Sequence, residues 1–357
     1  MSYIPDMLKS ILELARWAPS GDNLQPWRFE ILGEDRLRLH IRRENDVYDF
    51  GGAATRATSG VMLETLRIAA STQARGMKWV LAFEDAASIK FEINFPQVPT
   101  LALDPLAAWI KKRSVDRRPY QMQALTQVEK YALQSAVGPV FQIRWFETFA
   151  EKWAITRLNA RATWLRLSIP ETFAIHQRII DWDNRLSPDR VPAEAVGLDP
   201  MTRRLMKWAL GNWSRASFLN RYLAGPLMPV VEMDVVPGLR CAAHFAFTCA
   251  QTPTSLDETF LATGQALQRF WLTATSLGLV MQPSFATLAF AYYGERACEF
   301  SIEPTAAKKA NAVAEEFRLR FGVGSDQASF LGRIGRQVAA PPNSRSTRRE
   351  LTELIHL

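Results

Sequence analysis

Cysteine and histidine are scarce in this chain, with three and four among 357 residues. Cys241, Cys249 and Cys298 are too few for a disulfide framework and fit a reducing compartment. Cys241, His244 and Cys249 make a Cys-x-x-His-x4-Cys pattern. It lacks a fourth ligand nearby and lies in an apolar run, so a core strand is expected there and no metal site. A Ser-His-Asp arrangement has few histidines to draw on, and the Gly-x-Ser-x-Gly elbow is missing. The dinucleotide fingerprint G-x-G-x-x-G is missing too, which excludes a separate nucleotide domain of that type. Asp6 and Lys9 stand where a secretory signal needs an apolar run, so a cytoplasmic location is expected. The longest uncharged stretch, 270–294, is interrupted by Gly278, Gln282 and Pro283. It reads as a buried helix ending at Gly278, then a loop and another core element, and no membrane partner is expected.

What the chain does have is an ordinary globular composition, 48% hydrophobic and 22% charged. The length allows two domains or one large fused one. The net charge of +7 suits an anionic ligand. Its basic residues are scattered without a stripe of interleaved aromatics, so nucleic acid is not expected as a partner. The exception is the tail 333–349, which carries five arginines.

Met7, Leu8, Ile11, Leu12 and Ala15 recur at helical spacing. Strand alternation follows at Leu37, Leu39 and Ile41 and again at Ile89, Phe91 and Ile93, with a helix over 60–76 between them that buries Leu63, Leu66 and Ala70. A second unit opens near Lys111. Thr126 and Glu129 form a capping box for a helix carrying Val128, Leu133 and Ala136, and 141–146 reads as a strand. Further on, Gly264 opens a helix with Leu267, Trp271 and Ala274 on its apolar face. Glycine, leucine three later and alanine ten later occur twice, as Gly60, Leu63, Ala70 and as Gly264, Leu267, Ala274. An α+β fold of two tandem related halves is the expectation, divided as 1–105 and 106–357. The stretch 166–228, with Trp182, Trp208 and Trp213, has no counterpart in the first half and reads as an inserted helical lid.

The most informative segment is 18–27, APSGDNLQPW. Pro19 and Gly21 permit a tight turn and close backbone approach, while Ser20, Asn23 and Gln25 offer hydrogen-bonding side chains to a planar, polar ligand. The string resembles the signature A-P-S-x-x-N-x-Q-P-W of FMN-dependent nitroreductase-like flavoproteins and departs from it nowhere. The run KKRSVDRRPY, 111–120, resembles the same family's phosphate motif R-x-S/T-x-R/K followed by an aromatic. Arginine forks suit phosphate oxygens. By this resemblance Arg113 holds the FMN phosphate and Arg117 lies near the phosphate or the pyrimidine edge, with Val115 where a hydroxyl residue is usual. Gln282, Pro283 and Ser284 fall where the family sets a loop against flavin N5. Arg345 and Arg348 fall in the basic terminal segment that closes over the phosphate.

In the family's usual dimer, one subunit supplies the phosphate arginines, N5 loop and basic tail, and its partner supplies the APS loop. The resemblance therefore implies a pseudo-dimer fused into one polypeptide with one FMN site. The converse site is expected to be lost, because 136–140 reads AVGPV where an APS loop would fall. It further implies hydride or electron transfer through flavin N5 from NAD(P)H to a small acceptor, with no acid-base residue required. The alternative is a protein that stores or sequesters FMN, or senses redox state, without efficient turnover. Small-molecule donor and acceptor are the expected partners, together with a possible further homodimer.

Overall fold

Leu8, Ile11, Leu12 and Ala15 are fully buried along one face of α1 (Asp6–Ala15), as their spacing requires. In this computed structural model, which describes residues 3–252, 255–339 and 343–356, α1 leads through the APS loop into the antiparallel pair β1 (Trp27–Ile31) and β2 (Arg36–Arg42). The helix α2 (Ala53–Ser71), β3 (Lys78–Glu84) and β4 (Ser88–Asn94) complete the first unit. Leu37, Leu39 and Ile41 on β2 and Ile89, Phe91 and Ile93 on β4 are buried on one face, which is the period-two pattern of a sheet covered on one side.

The second unit runs through α3 (Gln127–Val137), β5 (Phe141–Phe146), the strand Ala243–Cys249, the long helix Leu256–Ser276, and the strands Val280–Pro283 and Ala328–Gly335. The capping box joining Thr126 and Glu129 is formed. The first sheet has the order β1-β2-β4-β3, and the second has β5, Ala243–Cys249, Ala328–Gly335, Val280–Pro283. Within each unit, therefore, the first two strands adjoin, a long helix follows, and the fourth strand inserts between the second and third. All neighbours are antiparallel. The architecture is α+β, and the two units repeat in topology as well as in three residues.

Several expected boundaries move. Neither Gly60 nor Gly264 opens its helix. The first helix starts at Ala53 after Gly52, whose φ is +79°, and the second starts at Leu256 behind the Ser255 cap. Both glycines lie in mid-helix where α2 and the long helix cross. A Cβ on Gly60 would fall 2.0 Å from the Leu261 carbonyl oxygen, and one on Gly264 would fall 2.0 Å from that of Ala57. These glycines mark contact points, which explains why they misled as start signals. At its other end α2 stops at Ser71, before Gly76. Two strands have no alternation to find. On β3, Val80, Leu81 and Phe83 are all exposed, whereas Ala328–Gly335 is buried at every position.

The insert is longer than 166–228. It spans 147–242 between β5 and Ala243–Cys249, where the first unit joins the equivalent strands through 32–35. Arg166 ends α4 (Phe149–Arg166), a helix that starts at its own capping box of Thr148 and Glu151. The insert continues through α5 (Pro170–Ile179), α6 (Pro200–Ala209) and α7 (Trp213–Tyr222). The run 270–294 divides much as expected, with Gly278 at φ +71° between the long helix and a strand, then the helix Phe285–Arg296. Among the described residues no helix is long and apolar enough to cross a membrane.

The C-terminal segment ties the two units together: Ile355 forms a parallel bridge with Phe29, while within the second unit Val115 forms one with Met281. The His356 N–H donates to the Phe29 carbonyl at 2.7 Å. These crossings bring the APS loop, the 113–117 run and the arginine-rich tail to one place.

Candidate functional site

The APS loop holds an uncommon backbone. Asp22, Asn23 and Gln25 have φ of +48°, +64° and +49°, a region that side chains other than glycine occupy at a cost of order 1–3 kcal/mol each. Surrounding contacts enforce it. The Gln25 N–H donates to Ser20 Oγ at 3.0 Å, Asn23 Nδ2 donates to the Thr347 carbonyl at 3.2 Å, and Gln25 Nε2 donates to the Pro188 carbonyl at 2.7 Å. Gln25 Oε1 accepts from the Arg349 N–H at 3.0 Å. The amides of Asn23 and Gln25 thus tie the loop to the tail and the insert.

That loop forms one wall of a cavity of about 370 Å³, within the range of small-molecule and cofactor sites. Pro19, Ser20, Gly21 and Asn23 line it. From the second unit and the tail, Arg113, Arg117, Gln282, Pro283, Arg345 and Arg348 line the same space. Two of the expected residues do not. Gln25 is 1% exposed and acts as a strut behind the wall. Ser284 is tied elsewhere, its Oγ accepting from Asn159 Nδ2 at 3.4 Å and its N–H donating to the Leu331 carbonyl at 2.9 Å. Of the tail segment 341–349, Pro341 and Pro342 lie outside the described residues.

At one end of the cavity three guanidinium groups gather. Arg113, 4% exposed, lies 4.5 Å over the Trp271 ring and donates to the Trp17 carbonyl at 3.4 Å, while its Nε has no partner among the described residues. Arg348 Nε donates to the Ala18 carbonyl at 2.9 Å, and Arg345 Nη2 donates to the Lys111 carbonyl at 3.2 Å. Among the described residues, Arg345 Nε and the buried Ser344 Oγ find no partner. Burial, and then the charges of Arg348 and Arg345, hold Arg113 well below the usual arginine range. Burial and the neighbouring Arg345 and Arg16 bring Arg348 down to about 9. All three are held mainly by backbone carbonyls, and the charges acting on Arg113 and Arg348 are cationic. Buried like charges with open donors are an anion-binding arrangement, because a phosphate would relieve both desolvation and repulsion.

Further along, Arg117 Nη1 donates to the Ala195 carbonyl of the insert at 3.0 Å. Arg333, 3% exposed and stacked 4.2 Å over Tyr120, stands behind the wall. Its Nη2 donates to Gln282 Oε1 at 2.6 Å and to the Arg117 carbonyl at 2.7 Å, fixing both. The far end belongs to the insert, which contributes Arg166, His176, Ile179, Met206 and Met233. His176 Nε2 lies 3.4 Å from the Tyr48 hydroxyl, and burial drives the imidazole down to about 3, so the ring is neutral. Asp22 is pushed up by burial against the opposing pull of Arg117 and Arg166. Sequence reading did not find Arg166, His176 or Tyr48 as site residues, because each stands apart in the sequence and only the fold gathers them. Arg333 opens the arginine-rich tail, but the contacts expected there are Arg345 and Arg348. Residues of the insert line part of the cavity, but its tryptophans do not: Trp182, Trp208 and Trp213 are absent from the lining, and Trp208 is exposed.

The Cys241, His244 and Cys249 pattern is core. His244 Nε2 is 2.9 Å from the Gly238 carbonyl, and burial pushes the Cys241 thiol up to about 11. Among the described residues no cluster could hold a metal ion.

Residues 4–58, which contain α1 and the APS loop, match the sequence model of the nitroreductase family. Among solved structures, the chain is 12% identical to a nitroreductase-like family protein from Bacillus cereus over 71% of this chain and 96% of that one, with a TM-score of 0.35. An FMN-dependent nitroreductase from Mycobacterium smegmatis, solved with NADPH, is 13% identical over 70% and 96%, with a TM-score of 0.36. A nitroreductase with bound FMN from Bacteroides fragilis is 10% identical over 69% and 95%, with a TM-score of 0.31. No curated protein matches the chain.

Proposed function

We propose that this chain, which carries a nitroreductase-family segment over 4–58, binds one FMN between its two halves and passes hydride from NAD(P)H to a small acceptor. The observation that carries the proposal is the cluster of Arg113, Arg345 and Arg348, held by carbonyls and opening into the same cavity as the strained APS loop. When bound, the flavin ring supplies the two-electron chemistry at N5. The chain's own residues bind and orient it. Arg113, Arg345 and Arg348 grip the phosphate, with Ser344 Oγ as a further donor. Arg117, braced by Arg333, sets a positive charge beside the ring and favours its reduced, anionic form. Pro19, Ser20 and Gly21 present a close backbone wall, and Gln282 and Pro283 present the opposing one. The neutral His176 and the apolar residues of the insert exclude water from the far end.

Halves 1–105 and 106–357 correspond, in this reading, to the two subunits of a dimer fused in tandem, supported by the shared strand order and the crossing of the two long helices. One site forms and its mirror does not, since α3 joins β5 through residues 138–140 alone. The expected cytoplasmic location accords with three free cysteines.

Denaturing the purified protein and chromatographing the released flavin tests the proposal. One FMN per chain is expected; two would overturn the single-site reading, and FAD or no flavin would overturn the cofactor. The roof formed by the insert favours a second reading, in which FMN is stored or sequestered. Stopped-flow reduction by NADH and NADPH separates the two, because rapid bleaching requires access to the ring and sequestration predicts none.

A further inference from the structure

We propose that the outer face of the insert docks on the surface of an anionic phospholipid bilayer. The helix α6 has two sides. Met206 faces the cavity and Thr202 is buried, whereas Met201, Leu205 and Trp208, at i, i+4 and i+7, are 80%, 49% and 48% exposed on the other side. On α7 Phe218 and Tyr222, four apart with tilted rings 5.2 Å between centroids, are exposed, and Leu223 follows them. Leu227 and Met228 are half exposed just beyond. So many large apolar side chains open to water in two adjacent short helices mark a contact surface rather than scattered exposure.

The charge around them is mainly of one sign. Residues 200–231 contain Arg203, Arg204, Lys207, Arg215 and Arg221 and no aspartate or glutamate. Asp199 and Glu232 bound the stretch, and Asp183 approaches Lys207 at 3.3 Å. The cations sit against the aromatics, with Arg215 5.1 Å over Trp208 and Arg221 5.6 Å over Tyr222. Apolar and aromatic side chains that enter the headgroup boundary, flanked by lysine and arginine whose heads remain with the phosphates, are the composition of an interfacial helix. Such helices lie on a bilayer and need no spanning length, so the contact requires none of the membrane-crossing length this fold lacks.

A second copy of the chain is the poorer occupant. A two-fold interface would set this largely cationic face against itself, with few acidic groups to offset the repulsion. Nucleic acid would satisfy the charges but leave Met201, Leu205 and Leu223 in water. Because α6 separates this face from the cavity, docking places the roof of the site at the lipid surface, where apolar acceptors concentrate.

Co-sedimentation of the full chain with phosphatidylcholine vesicles, with and without phosphatidylserine, tests the proposal. Binding is expected only to the phosphatidylserine vesicles and should weaken with salt. Arg204→Ser and Arg215→Ser should each reduce the partition coefficient about fivefold. Leu205→Glu combined with Trp208→Glu should abolish binding. Val128→Glu, at a 76% exposed apolar position on α3, should leave it intact. Far-UV circular dichroism of each variant confirms the fold. Equal binding to both vesicle types, or none to either, would overturn the proposal. So would a concentration-dependent dimer in sedimentation velocity, or retention on a polyuridylate column, that the same substitutions remove while vesicle binding is absent.

Discussion

Gly60 and Gly264 face each other reciprocally across the crossing of the two long helices. The Cβ position of Gly60 meets the Leu261 carbonyl and the Gln265 nitrogen, and that of Gly264 meets the Ala57 carbonyl and the Val61 nitrogen. In both cases the neighbours lie three residues before and one after the opposite glycine. Residue i meeting j while j meets i is the signature of an isologous, two-fold contact, found here within a single chain.

This contact reverses the usual sign of a helical glycine. In an exposed helix, alanine in place of glycine gains about 1 kcal/mol. Gly60→Ala or Gly264→Ala should instead destabilise the protein by roughly 1–3 kcal/mol, because the added methyl meets backbone that can yield only if the helices separate. Urea unfolding measures it, with Gly21→Ala, whose Cβ meets nothing within 4 Å, as the near-neutral comparison.

Arg113→Ala should weaken FMN binding by roughly 2–4 kcal/mol, since it removes a charge-assisted contact from a buried phosphate. Arg185→Ala, at an exposed residue paired with Glu194, should leave binding unchanged. Fluorescence titration of the apoprotein gives both affinities, and equal values for wild type and the Arg113 variant would refute this assignment of the phosphate end.

Stability should fall with acid before the carboxylates titrate. His176 and His244 are held near 3 in the folded chain against an ordinary 6.5. Between those values the unfolded chain binds protons that the folded one does not, so stability is full above about pH 6.5 and declines as the pH drops toward 3. Denaturant midpoints across this window should shift downward with acid. In His244→Asn the slope should be shallower, whereas an unchanged slope would mean that this imidazole is not held neutral.

Met206 is the cavity-lining residue of α6, so Met206→Ala should open the roof from inside without altering the outer face. Reduction of the bound flavin by small artificial donors should then accelerate severalfold in stopped flow if the insert limits access. Identical rates for variant and wild type would show that access lies elsewhere.

The local sequence determined the parts whose signals are local. The APS string, the Arg113 run, the capping box of Thr126 and Glu129, and the alternations on β2 and β4 were legible because turn chemistry, caps and one-sided burial leave their marks within a few residues. Even the repeat showed as three spaced residues. Only the tertiary structure decided what those residues do to one another. It turned Gly60 and Gly264 from presumed start signals into a close crossing, and it moved Gln25 and Ser284 out of the cavity they were expected to line. It also brought Arg166, His176 and Tyr48 to the far end of the site and set Arg333 behind Gln282 and Arg117. The physical reason is the same throughout. Burial, like-charge repulsion and helix contact are properties of residues far apart in the chain, and no short window of sequence contains both partners.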